Sequence, residues 1–195
     1  MRLFVAVNLP AAEQGRIRDA TERLRDTALP FRWIAPEALH LTLSFLGEVA
    51  EQRMDELMTA LGAVAIRHNP FAIRLAGIGA FPGLRRPRVL WLGVADDGSL
   101  ARLQSHTAAA LEPLGFPREQ RAYSPHLTLA RARSEARPGA FGTLAAAAEG
   151  VTHESVVEVN SIDLMRSHLG RSGARYEKIA GAVLGIPPHP LDGVN

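Results

Sequence analysis

The tetrapeptide His-Leu-Thr-Leu stands twice in this chain, at His40–Leu43 and at His126–Leu129, 86 positions apart. The same step carries Arg2–Asn8 onto Arg88–Val94 and Phe71–Ile78 onto Val157–Leu164. It also carries the helix-like stretch after Pro10 onto the one after Asp97, with no gap. One tetrapeptide recurs by chance; a whole order of elements at one spacing does not. Such self-similarity marks a repeated supersecondary unit that buries its apolar face against its copy. The pattern predicts two β-α-β-α-β halves packed as lobes about a pseudo-twofold axis.

Apolar spacing supplies the elements. Arg2–Asn8 reads as a strand, and Ile17, Ala20, Leu24 and Ala28 recur at helical spacing after Pro10. A short extended piece at 31–34 and a turn at Pro36-Glu37 lead into a strand over 39–46. Residues 51–67 read as a helix with Met54, Leu57, Met58, Leu61 and Val64 on one face. Strands are expected over 71–78, 88–94 and 123–130, with a helix over 100–114. Alanine content alone predicts a helix over 140–148. Closing strands are expected over 156–165 and 175–183. Hairpin-like strand pairs joined by helices give an α+β fold: two pseudo-twofold-related lobes of antiparallel sheet plus helices, with a central cleft. Residues 1–185 form one bilobal domain on this reading, and residues 186–195 an irregular proline-rich tail.

Composition narrows the chemistry. With 195 residues, 47% of them hydrophobic, the chain can bury a core without cross-links. Its lack of cysteine excludes disulfides, thiolate zinc sites, iron–sulfur clusters and cysteine nucleophiles. No apolar run approaches the roughly 18 residues that span a bilayer. Leu3–Val7 is stopped by Asn8 and Pro10, too short for a signal-peptide core, so the expected location is cytoplasmic, with no membrane partner. Net charge is only +2, yet all 22 basic residues except Lys178 are arginine. A chain this close to neutral does not coat polyanions in bulk, so nucleic-acid contact is expected to be local.

Alternation along a strand puts His40 and Thr42 on one face and Leu41 and Leu43 on the other; His126 and Thr128 repeat the arrangement. Leucines turned to the core force the His and Thr side chains outward, and a twofold would bring the two polar faces together across a cleft. A lone His-x-Thr is usually an ordinary half-exposed strand. Here the flanks drift, Phe45 against Arg131 and Leu39 against Pro125, while the His and Thr stay identical. Polar identity inside a diverged repeat points to a shared site. Paired histidines also ligate zinc or copper, but no in-phase carboxylate or third histidine accompanies them. There is no Gly-x-Ser-x-Gly turn, Walker loop or Gly-x-Gly-x-x-Gly fingerprint. Two imidazoles without metal or nucleophile suit concerted acid–base catalysis, with hydroxyls holding phosphate oxygens during in-line attack at phosphorus.

The segments His40–Gly47 (His-Leu-Thr-Leu-Ser-Phe-Leu-Gly) and Ser124–Arg131 (Ser-Pro-His-Leu-Thr-Leu-Ala-Arg) resemble the paired signatures of the two-histidine phosphoesterase superfamily. Within it the chain most resembles the bacterial and archaeal RNA 2′,3′-cyclic phosphodiesterases, also called the 2′-5′ RNA ligase family. The resemblance runs from the opening Arg2-Leu-Phe-Val-Ala-Val through Phe81-Pro82 and Pro87–Trp91 to Ser167 and Tyr176. It implies hydrolysis of 2′,3′-cyclic phosphates on RNA ends or nucleotides to 2′-phosphates, without metal or nucleotide cofactor. Carried over, His126 is the proton acceptor that activates water, His40 the proton donor to the leaving 3′ oxygen, and Thr42 and Thr128 bind the phosphate.

The pseudo-symmetry of the sequence does not itself assign acid and base. Arg131 matches the family pattern as a phosphate ligand, but strict alternation places it opposite His126 and Thr128 unless the strand bulges. Phe45 has the same parity problem, and reads either as a base-stacking residue or as core. Tyr123 is a candidate RNA contact, as are Arg121 and the Arg85–Arg88 cluster. Two other readings stand beside this one: a 2′-5′ RNA ligase acting on tRNA halves, and a non-catalytic nucleotide- or RNA-binding module. The chain is expected to act as a monomer.

Overall fold

A computed structural model describes residues 1–137, 139–170 and 173–186. The strands are β1 (Arg2–Asn8), β2 (Phe31–Trp33), β3 (His40–Glu48), β4 (Phe71–Phe81), β5 (Val89–Ala95), β6 (His126–Ala132), β7 (Glu154–Val159), β8 (Ser161–Gly170) and β9 (Gly173–Val183). The helices are α1 (Ala11–Ala20), α2 (Glu22–Asp26), α3 (Met54–Ala65), α4 (Ser99–Leu111) and α5 (Leu144–Glu149). They build one four-stranded sheet, β3-β1-β8-β9, and one five-stranded sheet, β2-β6-β5-β4-β7. Every strand pair is antiparallel. The expected α+β architecture of two antiparallel sheets with helices is the one observed.

The lobes are sheets, however, and not the two sequence halves. The repeat maps β1 onto β5, β3 onto β6 and β4 onto β8, so β3-β1-β8 corresponds to β6-β5-β4. Each sheet therefore takes two strands from one half and its third from the other. This exchange gives the halves a common interior: Val5, Leu41, Leu75, Leu92, Leu127, Val157 and Leu164 belong to one continuous buried cluster. Leu41 and Leu127 are fully inaccessible, as the alternation of the two motifs requires. Burial of each contributes about 1.5–3 kcal/mol.

Several boundaries differ from the sequence reading for local reasons. The helix expected over residues 11–28 breaks at buried Thr21, whose hydroxyl donates to the carbonyls of Ile17 (2.8 Å) and Arg18 (3.1 Å). The strand expected over 156–165 is two strands in different sheets, because the chain crosses over at Asn160 without a glycine or proline to mark it. Turns around Gly139 and Gly142 delay the alanine-rich helix to Leu144. The second motif's strand starts at His126 rather than at Tyr123. The expected irregular tail lies, apart from Ile186, outside the described residues. Among the described residues, no helix is long and apolar enough to cross a membrane.

Candidate active site

The site forms where β3 and β6 face each other across the cleft. His40, Thr42, Phe45, Thr128 and Arg131 line a cavity of about 350 Å³ together with Arg2, Ser167 and Tyr176. His126 and Tyr123 line an adjoining cavity of about 640 Å³ with Phe81, Arg88 and Arg121. Thr42 and Phe45 belong to both walls, so the structure brings all seven candidate residues into one continuous cleft.

Two bulges explain how Arg131 and Phe45 reach it. Consecutive Val5 and Ala6 of β1 pair with Ser44 and Thr42 of β3, leaving Leu43 as an extra residue. Consecutive Leu90 and Trp91 of β5 pair with Ala130 and Thr128 of β6, leaving Leu129 extra. The two bulged leucines are again 86 positions apart. A bulge shifts the alternation by one residue. Leu129 and Ala130 are therefore both buried, and Arg131 emerges on the same side as Thr128. A second register shift, at Leu46, frames Phe45, which is 62% exposed and stands in the cleft rather than the core.

Each histidine is held by the same backbone device. Nδ1 of His40 lies 2.8 Å from the carbonyl oxygen of Ala38, and Nδ1 of His126 lies 2.8 Å from that of Ser124. A carbonyl only accepts, so each Nδ1 carries a hydrogen and each Nε2 is left for chemistry. The aromatic neighbours differ. His40 packs against Phe4 (4.8 Å between centroids) and edge-on to Tyr176 (4.9 Å), whereas His126 stands edge-on to Phe81 (5.0 Å). Burial holds the His40 imidazole below the ordinary histidine pKa. The hydrogen bond to Ala38 opposes that shift, and the positive charge of Arg131 adds to it. Free His40 is therefore neutral at neutral pH.

Tyr123 is tied down: its hydroxyl donates to the backbone carbonyl of Thr42 (3.3 Å), bracing β3 from the far wall. Burial pushes that hydroxyl well above the usual tyrosine pKa. Phe4, Tyr176, Phe81 and Ser167 had no assigned role in the sequence reading. Phe81 and Ser167 are 86 positions apart and each lines the cleft on the side of its own histidine, so the repeat held the signal for that pair. His68, His106, His153 and His168 line neither cavity, and His189 lies outside the described residues. Among the described residues, no group of three His, Cys, Asp or Glu side chains is placed to hold a metal ion.

The model of the 2′-5′ RNA ligase superfamily matches residues 9–171. The chain belongs to this superfamily. It is 36% identical over 190 residues to an RNA 2′,3′-cyclic phosphodiesterase of Geobacillus stearothermophilus, covering 94% of this chain but 58% of that relative's length. It is also 36% identical over 166 residues to the enzyme of the same name from Aeropyrum pernix, covering 85% of this chain and 93% of the relative. Among solved structures, TT0787 of Thermus thermophilus superposes with a TM-score of 0.77 at 28% identity, covering 95% of this chain and 98% of that one. LigT of E. coli in complex with 3′-AMP gives 0.71 at 28% identity, covering 94% and 97%. The superfamily match spans both His-x-Thr strands and the exchanged β4 and β8, four of the strands that line the cleft.

Proposed function

We propose that this member of the 2′-5′ RNA ligase superfamily hydrolyses RNA or nucleotide 2′,3′-cyclic phosphates to 2′-phosphomonoesters by acid–base catalysis between His126 and His40, with no metal taking part. The observation that carries this reading is the matched pair of imidazoles. Each is locked with Nδ1 as donor and Nε2 available, and each stands beside a threonine hydroxyl in one cleft. The names of the relatives supply the same substrate class.

The cyclic phosphate sits between the Thr42 and Thr128 hydroxyls, with the Arg131 guanidinium on its non-bridging oxygens. His126 Nε2 takes a proton as water attacks phosphorus. The bond from phosphorus to O3′ breaks, and His40 Nε2 delivers its proton to O3′. The product has a 2′-phosphate and a free 3′-hydroxyl. Neutral in the free protein, His40 gains its proton when the bound phosphate anion offsets Arg131 and supplies the missing counter-charge. Transition-state charge on the phosphate oxygens then meets donors already in position.

The test is hydrolysis of a 2′,3′-cyclic nucleotide by His40→Ala and His126→Ala, each checked for a native fold by circular dichroism. Both variants are expected to lose at least about 10³ of kcat, in keeping with loss of a catalytic acid or base. Folded variants that keep turnover rule out the mechanism.

A further inference from the structure

Next to the cleft lies a groove of about 790 Å³ walled by Arg85, Arg86, Arg88, Arg133 and Arg137, with no carboxylate in its lining among the described residues. None of these five guanidiniums is in an ion pair among the described residues. By contrast, Arg16, Arg18, Arg53, Arg74, Arg102 and Arg118 each hold an Asp or Glu. This groove thus collects five guanidiniums in one wall with no ion-paired carboxylate among the described residues. The nearby Glu135 accepts from the Ser134 hydroxyl at 2.7 Å; that hydrogen bond, and further the charges of Arg133 and Arg32, hold its carboxyl below the usual carboxylate range, while Arg133 Nε also donates to the Phe31 carbonyl (3.3 Å). Beside the groove, Arg32 stands directly opposite Arg131 across the β2–β6 pair, a like-charge arrangement that destabilises a sheet unless an anion is present.

The groove connects to the chemistry in register. Along β5, Gly93 is level with His126, Trp91 with Thr128 and Val89 with Arg131; the next residue, Arg88, lines both the His126 wall and the groove. A phosphate held at the threonines is followed by Arg131 and then by the arginines of the groove. Arginine forks match phosphate oxygens, and a row of them tracks a backbone without reading sequence.

We propose that this groove binds the phosphodiester backbone of the RNA strand upstream of the cyclic end. The protein would thereby favour oligoribonucleotides over cyclic mononucleotides, which have no further phosphate to offer. The proposal rests on the function given above.

The test compares kcat/KM for a 2′,3′-cyclic mononucleotide and for a short single-stranded oligoribonucleotide with the same terminus. It uses wild type, the double variant Arg85→Ser/Arg86→Ser and, separately, Arg137→Ser, over a range of salt. The expected result is that the variants lose about tenfold on the oligonucleotide, through KM. Their salt dependence should also be shallower by about 0.7 per phosphate contact removed, with the mononucleotide rate unchanged. Equal loss on both substrates, or no loss on either, overturns the proposal. Should wild type hydrolyse neither substrate, the functional reading fails. The groove is then judged by fluorescence anisotropy with the same RNA ending in a 3′-phosphate: weaker binding by the variants supports it, and equal binding overturns it.

Discussion

His40 and His126 make one and the same hydrogen bond, Nδ1 to the carbonyl oxygen two residues upstream, at 2.8 Å in both cases. The repeat therefore fixes the tautomer of both rings and leaves their difference to the surroundings. His40 is enclosed by Phe4 and Tyr176 and lies under the field of Arg131. His126 instead has the edge of Phe81, from β4 of its own sheet. On the proposed mechanism, a symmetric scaffold separates acid from base through these asymmetric neighbours.

On that proposed mechanism Arg131 acts on both the phosphate and His40, and its removal separates the two effects. Taking away a positive neighbour favours the protonated imidazole, so Arg131→Gln should raise the His40 pKa from its depressed value. The basic limb of the kcat/KM profile records loss of the acid proton and should move to higher pH in the variant. Lost phosphate stabilisation should meanwhile lower kcat/KM by roughly 10²–10³. Histidine titration by NMR and a pH–rate profile check both; a limb that stays in place contradicts the assignment of His40 as the acid.

Gly79 faces Trp91 across the β4–β5 pair, where an added Cβ would overlap the indole ring. Trp91 in turn pairs with Thr128. Gly79→Ala should destabilise the fold by about 1–3 kcal/mol, the range for overpacking. It should also lower kcat by shifting the threonine. Urea denaturation together with a hydrolysis assay measures both; unchanged stability would mean that the ring moves aside freely.

A second polar cluster, away from the cleft, holds α1 to β7. The buried Glu13 carboxylate accepts from Ser155 Oγ (2.5 Å), His153 Nε2 (2.8 Å) and Arg16 Nε (2.8 Å). Burial alone would raise its pKa, but these hydrogen bonds and the Arg16 charge outweigh burial and lower it. A carboxyl with a depressed folded pKa contributes stability above its unfolded value of about 4.3, and that contribution is lost as pH falls through the folded one. Glu13→Gln should therefore cost about 1–3 kcal/mol at neutral pH and weaken the acid dependence below about pH 4.3. Thermal melts across pH check this; an unaltered acid dependence would show that other carboxyls control it.

The fold class and the His and Thr faces were legible because both follow from spacing. Leucine alternation fixes which side of β3 and β6 meets the core, and an offset of 86 sets the order of elements. The bulges were not legible, since Leu43 and Leu129 are apolar inside apolar strands and nothing in composition distinguishes a bulged leucine from a paired one. Arg131 and Phe45 could therefore be placed only conditionally. Strand exchange was equally hidden: the offset equates β4 with β8 but does not say which sheet either joins. The aromatic walls around the histidines come from β1, β4 and β9, whose approach is set by that exchange.

The most direct measurement is the product formed from an oligoribonucleotide ending in a 2′,3′-cyclic phosphate, incubated with the protein in EDTA and examined by phosphorus NMR. The account predicts turnover in the chelator and a terminal 2′-phosphate, because O3′ leaves with the proton from His40. A 3′-phosphate, or turnover that appears only when a divalent metal is restored, would contradict it.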